Sequence, residues 1–87
     1  MKHFANPSFW ACYEKLPTYI KELADKNFVL LKTDPKHPSL HLKKVDKYWS
    51  VRVSRNYRAV AVEIDDNLIW FWIGSHSEYI KLLKEIR

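Results

Sequence analysis

The 87 residues are 47% hydrophobic and 15% aromatic, enough for one domain with a single small core and too apolar for a disordered chain. The formal charge is +5, but between residues 32 and 58 eight basic residues stand against two aspartates, so that segment carries +6 and the rest of the chain −1; a local field of that sign attracts polyanions or an acidic partner segment. No apolar run approaches the ~20 residues of a membrane span, Met1-Lys2-His3-Phe4 is not a signal-like start, and the lone Cys12 has no internal disulfide partner, so a soluble, cytoplasmic chain is expected.

In chain order, residues 1–5 read as a short edge strand. Asn6-Pro7 is a helix start: asparagine accepts from first-turn N–H groups, and proline at the first helical position loses only a donor that would have been unpaired. This helix is predicted over residues 7–15, burying Phe9, Trp10 and Tyr13. Pro17 suits the first turn of a second, longer helix, in which Leu16, Ile20, Leu23, Ala24, Asn27 or Phe28, and Leu31 recur at three- and four-residue spacing as one amphipathic stripe. Asp34-Pro35 ends it. Lys36-His37-Pro38-Ser39 is a loop, since proline and the residue before it resist helix.

The period then changes to two. Leu40 and Leu42 alternate with His41 and Lys43, and Asp46-Lys47 turns the chain. Trp49, Val51 and Val53 alternate with Ser50, Arg52 and Ser54. Arg55-Asn56 is a compact turn, residues 57–64 form a strand, and Asp65-Asp66-Asn67 is a second hairpin signal. Residues 68–73 (Leu-Ile-Trp-Phe-Trp-Ile) are apolar on both faces and read as a central strand covered on both sides; alternation gives Trp70 and Trp72 one face and Phe71 the other. Ser75 or Ser77 caps a last helix running through Ile86. The whole, residues 1–87, is an α+β domain: an N-terminal helical hairpin packed on a mainly antiparallel sheet of about four to five strands, with a short C-terminal helix.

Candidate functional residues gather in the basic segment and at the end of the last strand. Arg58 suits a phosphate, with a surface pair to Glu63 or Asp65 as the plain alternative. Arg52 points away from Trp49, Val51 and Val53 and shares the basic face, while Arg55 sits in the turn. His41, Lys43 and Lys44 lie on the preceding strand, with His41 and Lys43 directed away from Leu40 and Leu42. His41, Lys43, Lys44, Arg52 and Arg55 suit contacts with an RNA backbone. His76, just past the strand end and next to flexible Gly74, is the acid–base candidate, because imidazole titrates nearest neutral pH. Tyr79 follows on the same helical face, placed to stack on a base, to assist proton transfer or to anchor the helix. His37, His41, His76 and Cys12 lack ligand-pair spacing, so no metal site is read. Gly74 is the only glycine, so there is no phosphate-cradling loop and no cofactor is expected.

Three segments stand in a telling order: Asp34-Pro35-Lys36-His37-Pro38-Ser39-Leu40, the basic stretch at residues 49–59, and Gly74-Ser75-His76-Ser77-Glu78-Tyr79. Together they resemble the RelE/ParE family of small bacterial toxins from type II toxin–antitoxin systems, over nearly the full length. The resemblance implies an antiparallel sheet with two N-terminal helices and a cognate antitoxin as partner. In the RelE-like branch it implies cleavage of mRNA on the ribosome, a metal-free attack of a ribose 2′-OH on the adjacent phosphate. Arg58 matches the strand arginine that such nucleases set against that phosphate, with His76 and Tyr79 beside it. The ParE-like branch instead inhibits DNA gyrase. The chain departs from the nuclease pattern twice: residues 68–73 contain no second arginine, and the basic strand contains no acidic base. The first reading is a ribosome-dependent mRNA endoribonuclease; the alternatives are a gyrase inhibitor acting by protein binding and a non-catalytic relative that only binds its antitoxin.

Overall fold

The computed structural model describes residues 1–86. Its elements are β1 (His3–Ala5), α1 (Pro7–Glu14), α2 (Thr18–Thr33), a 3-10 turn (Pro38–Leu40), β2 (Lys43–Val45), β3 (Tyr48–Ser54), β4 (Tyr57–Ile64), β5 (Asn67–Ser75) and α3 (His76–Ile86). The strands form one mixed sheet in the order β1-β5-β4-β3-β2, parallel only where β1 meets β5. This is the α+β arrangement expected from the pattern, with all five strands present. The helical hairpin covers one face, where Leu16, Ile20 and Leu31 pack on Val51, Val53, Ala59, Ala61, Leu68, Trp70 and Ile73. α3 lies across the other face, at β4 and β5. Among the described residues no helix is long and apolar enough to cross a membrane.

Local chemistry explains most boundaries. Asn6 Oδ1 accepts from the Phe9 N–H at 3.2 Å, and Pro7 opens α1. Pro17 sits one position before α2, where its carbonyl accepts from the Ile20 and Lys21 N–H groups at 3.0 and 3.1 Å. Asp34 stops that helix with its N–H on the Leu30 carbonyl at 2.7 Å. The Tyr13 hydroxyl donates to Asp25 Oδ1 at 2.8 Å and ties α1 to α2. Burial first, and then the Asp25 hydrogen bond, pushes this phenol up to about 12.

Several details differ from expectation. Trp10 is 50% exposed rather than buried, because consecutive residues on a helix point about 100° apart; Phe9 and Tyr13, one turn apart, take the core side instead. At the Asn27/Phe28 position it is Asn27 that turns inward, donating from Nδ2 to the Val53 carbonyl at 2.6 Å. That carbonyl is available because β3 carries one extra residue between Arg52 and Ser54 relative to β4. The alternation of residues 40–43 is not strand: Leu40 is fully buried in the 3-10 turn, His41 takes a left-handed backbone (φ 45°), and β2 begins only at Lys43.

The largest correction lies in β5. Val60 pairs with Trp72 while the next residue of β4, Ala61, pairs with Trp70, so Phe71 is an extra residue. The two tryptophans therefore lie on opposite faces, not one. Trp70 joins the core under the hairpin, whereas Trp72 lies against Tyr79 of α3. Around Trp70, β1 is secured: the Trp70 carbonyl accepts from the Asn6 N–H at 3.0 Å, and its indole Nε1–H donates to His3 Nδ1 at 3.1 Å. Phe28 meets the His3 ring edge-on at 6.2 Å.

His3 can accept that bond only when neutral, and burial, followed by the nearby N-terminal amine and Lys32, holds its imidazole below the usual value. A histidine depressed in the folded state contributes stability that is present above its unfolded value and lost as pH falls below about 6.5. Thermal melts from pH 7.5 to 5 are expected to show a fall in Tm, and His3→Gln, which cannot titrate, to flatten it. Trp70→Ala, by emptying the core beside β1, is expected to cost about 3–5 kcal/mol in urea unfolding.

Candidate functional site

The sheet face away from the hairpin is where the predicted residues meet. Alternation along β3 sends Val51 and Val53 into the core and turns Arg52 outward. Arg52 stands directly opposite Arg58 of β4, so two like charges occupy neighbouring positions on one face, an arrangement that costs stability unless an anion relieves it. Neither guanidinium has a carboxylate partner among the described residues. The surface pair with Glu63 or Asp65 does not form: Glu63 lies on the hairpin face, accepting from Trp49 Nε1 at 2.7 Å with Lys44 Nζ at 3.9 Å.

Arg58 is instead folded back on its own hairpin turn. Its Nη1 donates to the carbonyls of Ser54 at 2.7 Å and Tyr57 at 2.9 Å, with Arg55 at 3.4 Å. A guanidinium carries five N–H donors in a fork, so the rest of Arg58 is left for a ligand. Burial, and then the Arg52 charge, lower its affinity for its proton, while Tyr79 acts in the opposite direction.

The same turn positions His76. The Asn56 carbonyl accepts from the His76 N–H at 2.7 Å, fixing the junction of β5 and α3 against the β3–β4 turn. α3 then starts with a reciprocal cap. Ser75 Oγ accepts from the Glu78 N–H at 3.2 Å, while Glu78 Oε1 accepts from the Ser75 hydroxyl at 2.9 Å and the Ser75 N–H at 3.2 Å. The Ser75 hydroxyl, then the Ser75 N–H, hold the Glu78 carboxyl below its usual value. Ser75 is thus the cap, and His76 is the first, exposed residue of α3.

Tyr79 lies one turn on, only 4% exposed, its ring 5.8 Å from His76 and 6.5 Å from Trp72. Its hydroxyl is buried with no hydrogen-bond partner among the described residues, leaving a donor and an acceptor for a group outside the protein. Gly74 serves this packing by leaving room rather than by flexing. It has ordinary strand dihedrals, and a Cβ there would lie 2.6 Å from Trp72 Cζ2.

Arg52, Arg58, His76 and Tyr79 are therefore brought to one end of one face. Lys43, opposite Ser50 on β2, shares that face. Lys44 does not, Arg55 is exposed in the turn, and His41 lies outside the sheet beyond the 3-10 turn. Asn56, Glu78 and Trp72 were not singled out in the sequence. Of these, only Glu78 had a local signal, the Ser-x-x-Glu spacing of a capping box. No three His, Cys, Asp or Glu side chains among the described residues gather as a metal would require. Chemically, two unneutralised guanidinium groups beside an exposed imidazole can hold a tetrahedral anion and exchange protons with it.

The model of the ParE-like toxin domain family matches residues 22–81. No curated protein matches in sequence. Among solved structures, the RelB–RelE antitoxin–toxin complex from Methanococcus jannaschii aligns at a TM-score of 0.71 and 14% identity, covering 91% of this chain and 96% of the other. YafQ from Escherichia coli BL21(DE3) aligns at 0.71 and 12%, covering 90% and 96%. The isolated RelE toxin of E. coli aligns at 0.60 and 18%, covering 99% and 98%. At these identities the likeness is one of fold.

Removing the cap should loosen the His76–Tyr79 arrangement before it unfolds the sheet. Ser75→Ala is expected to cost about 0.5–2 kcal/mol in chemical denaturation. Gly74→Ala is expected to destabilise as well, with a change in Trp72 fluorescence as the indole is displaced.

Proposed function

The chain belongs to the family of ParE-like toxin domains, the toxins of toxin–antitoxin systems, and from that premise we propose that it arrests growth by cutting mRNA on the ribosome without a metal. The observation that carries the reading is the opposed Arg52–Arg58 pair, with no carboxylate partner among the described residues, flanked by exposed His76 and the buried Tyr79 hydroxyl. In the reaction, a base removes the ribose 2′-OH proton and the 2′ oxygen attacks the adjacent phosphorus. The 5′ oxygen leaves with a proton, giving a 2′,3′-cyclic phosphate and a 5′-hydroxyl end. Arg58 and Arg52 stabilise the extra charge on the phosphorane. His76 is the proton-exchanging group, and Tyr79, packed between His76 and Trp72, braces it. Lys43 and Arg55 supply backbone contacts around this centre; Lys44 and His41, lying away from it, serve a longer RNA path at most.

The natural partner on this reading is a cognate antitoxin, as the RelB–RelE complexes among the structural neighbours support, and the place of action is the cytoplasm. A second reading has its own support. The matching family model is ParE-like, and Arg58 is engaged with backbone carbonyls rather than wholly free. On this alternative the same basic face binds a protein, DNA gyrase.

Mapping RNA 5′ ends after brief induction separates the two. The nuclease reading expects new 5′-hydroxyl ends within translated codons, abolished by Arg58→Ala and reduced by about 10²–10⁴ in His76→Ala. Growth arrest with intact mRNA and inhibited supercoiling by purified gyrase would replace it with the alternative.

A further inference from the structure

α3 covers only part of its face of the sheet, contacting β4 and β5. Toward β2 and β3 that face continues, and a second group of side chains lies there. Tyr48 and Phe71 meet with ring centroids 6.0 Å apart at 60°. Both are half-buried and neither belongs to the core. Phe71 follows core-facing Trp70 by one residue and so points to this face, where the β5 bulge also brings Trp72. Lys47 Nζ lies 5.6 Å from the centre of the Tyr48 ring.

The strands around this aromatic pair carry mostly positive charge, with Asp46 in the β2–β3 turn and Asp65 and Asp66 in the β4–β5 turn at the edge of the group. Lys43 and Arg52 share its face through the β2–β3 and β3–β4 pairings. Glu63, the sole acidic residue within β2, β3, β4 and β5, belongs to the hairpin face. Tyr48 and Arg52 are four residues apart on one strand and hence about 13 Å apart along it. Flat rings flanked by Lys43, Lys47 and Arg52 suit a ligand that is both anionic and aromatic, and single-stranded nucleic acid is that ligand. An apolar protein segment would use the rings but leave the cations unmatched.

We propose that Tyr48 and Phe71 form a stacking platform for a base of single-stranded RNA, a near neighbour of the phosphate held at Arg52 and Arg58, so that the strand crosses the sheet along β3. This rests on the RNA reading above and adds to it a second subsite, with a path for the bound strand. Lys47 and Lys43 contribute sequence-independent phosphate contacts beside the platform.

The test is binding of a 2′-O-methyl oligoribonucleotide, which cannot be cleaved, measured on the free toxin and on a programmed ribosome. Tyr48→Leu and Phe71→Leu keep apolar bulk but remove the ring and are expected to weaken binding about five- to a hundredfold, while Tyr48→Phe keeps wild-type affinity. Lys47→Ala is expected to reduce the salt slope by about one. In the unmutated protein, 4-thiouridine in the oligonucleotide is expected to crosslink to Tyr48 or Phe71, a readout independent of whether the leucine variants fold. Folded leucine variants with undiminished affinity, or crosslinks only elsewhere, would overturn the platform and leave the Arg52–Arg58 site standing. Leucine variants that keep RNA but lose antitoxin would reassign the face to protein and also overturn it. A wild-type protein that binds no RNA in either setting would remove both the platform and the nuclease reading.

Discussion

Between Trp70 and Trp72, β5 carries one more residue than the strand beside it, and the two indoles turn to opposite faces as a result. Trp70 fills the core under the hairpin and, through its indole N–H and its carbonyl, holds His3 at the start of β1 and Asn6 just past its end. The Ser8 hydroxyl lies within hydrogen-bond distance of the Phe71 carbonyl, at 2.7 Å, and of Asn6 Oδ1, at 2.6 Å. The extra residue is thereby linked to the cap of α1. Trp72, sent the other way, provides the surface on which Tyr79 and α3 rest. A regular strand would put both indoles on one face, leaving either the core or α3 without its main contact. Bulges commonly sit where a side chain must be re-aimed.

The energetic tension in the molecule is concentrated at the far end of the same strand. Opposed arginines, a buried hydroxyl without a partner and an arginine folded onto backbone carbonyls lie together around the β5–α3 junction. At several other places local preference and tertiary packing agree: proline and asparagine start α1, Asn27 satisfies a bulge carbonyl, and Leu40 seals the loop into the core. Like charges and an unsatisfied hydroxyl gathered at one junction are the kind of arrangement that clusters at binding sites. The sheet thus divides its labour by face. One face buries the hairpin; the other carries α3 together with Arg52, Arg58, Lys43, Tyr48 and Phe71. A fold by itself does not fix a chemistry, so function rests on the side chains of that second face rather than on the architecture.

Much of this was legible in the sequence. The helix starts and stops, the two hairpin turns, the element order and the basic character of β3 all follow from local rules, since caps, prolines and alternating apolar residues act within a few residues of themselves. Arg52 could be set on the face away from Val51 and Val53, and His76 at a strand–helix junction, by the same short-range reasoning. What the sequence determined by itself was therefore the list of elements, the family resemblance and the membership of the basic segment. Tertiary structure alone decided the rest: which tryptophan enters the core, that Arg58 opposes Arg52 rather than pairing with Glu63, that Asn56 holds His76, that Lys44 leaves the cluster, and that Phe71 joins Tyr48. Each of these depends on strand register, and one inserted residue shifts every later side chain to the other face. That insertion is settled by how the packed sheet closes on its helices, a long-range balance that no window of neighbouring residues encodes.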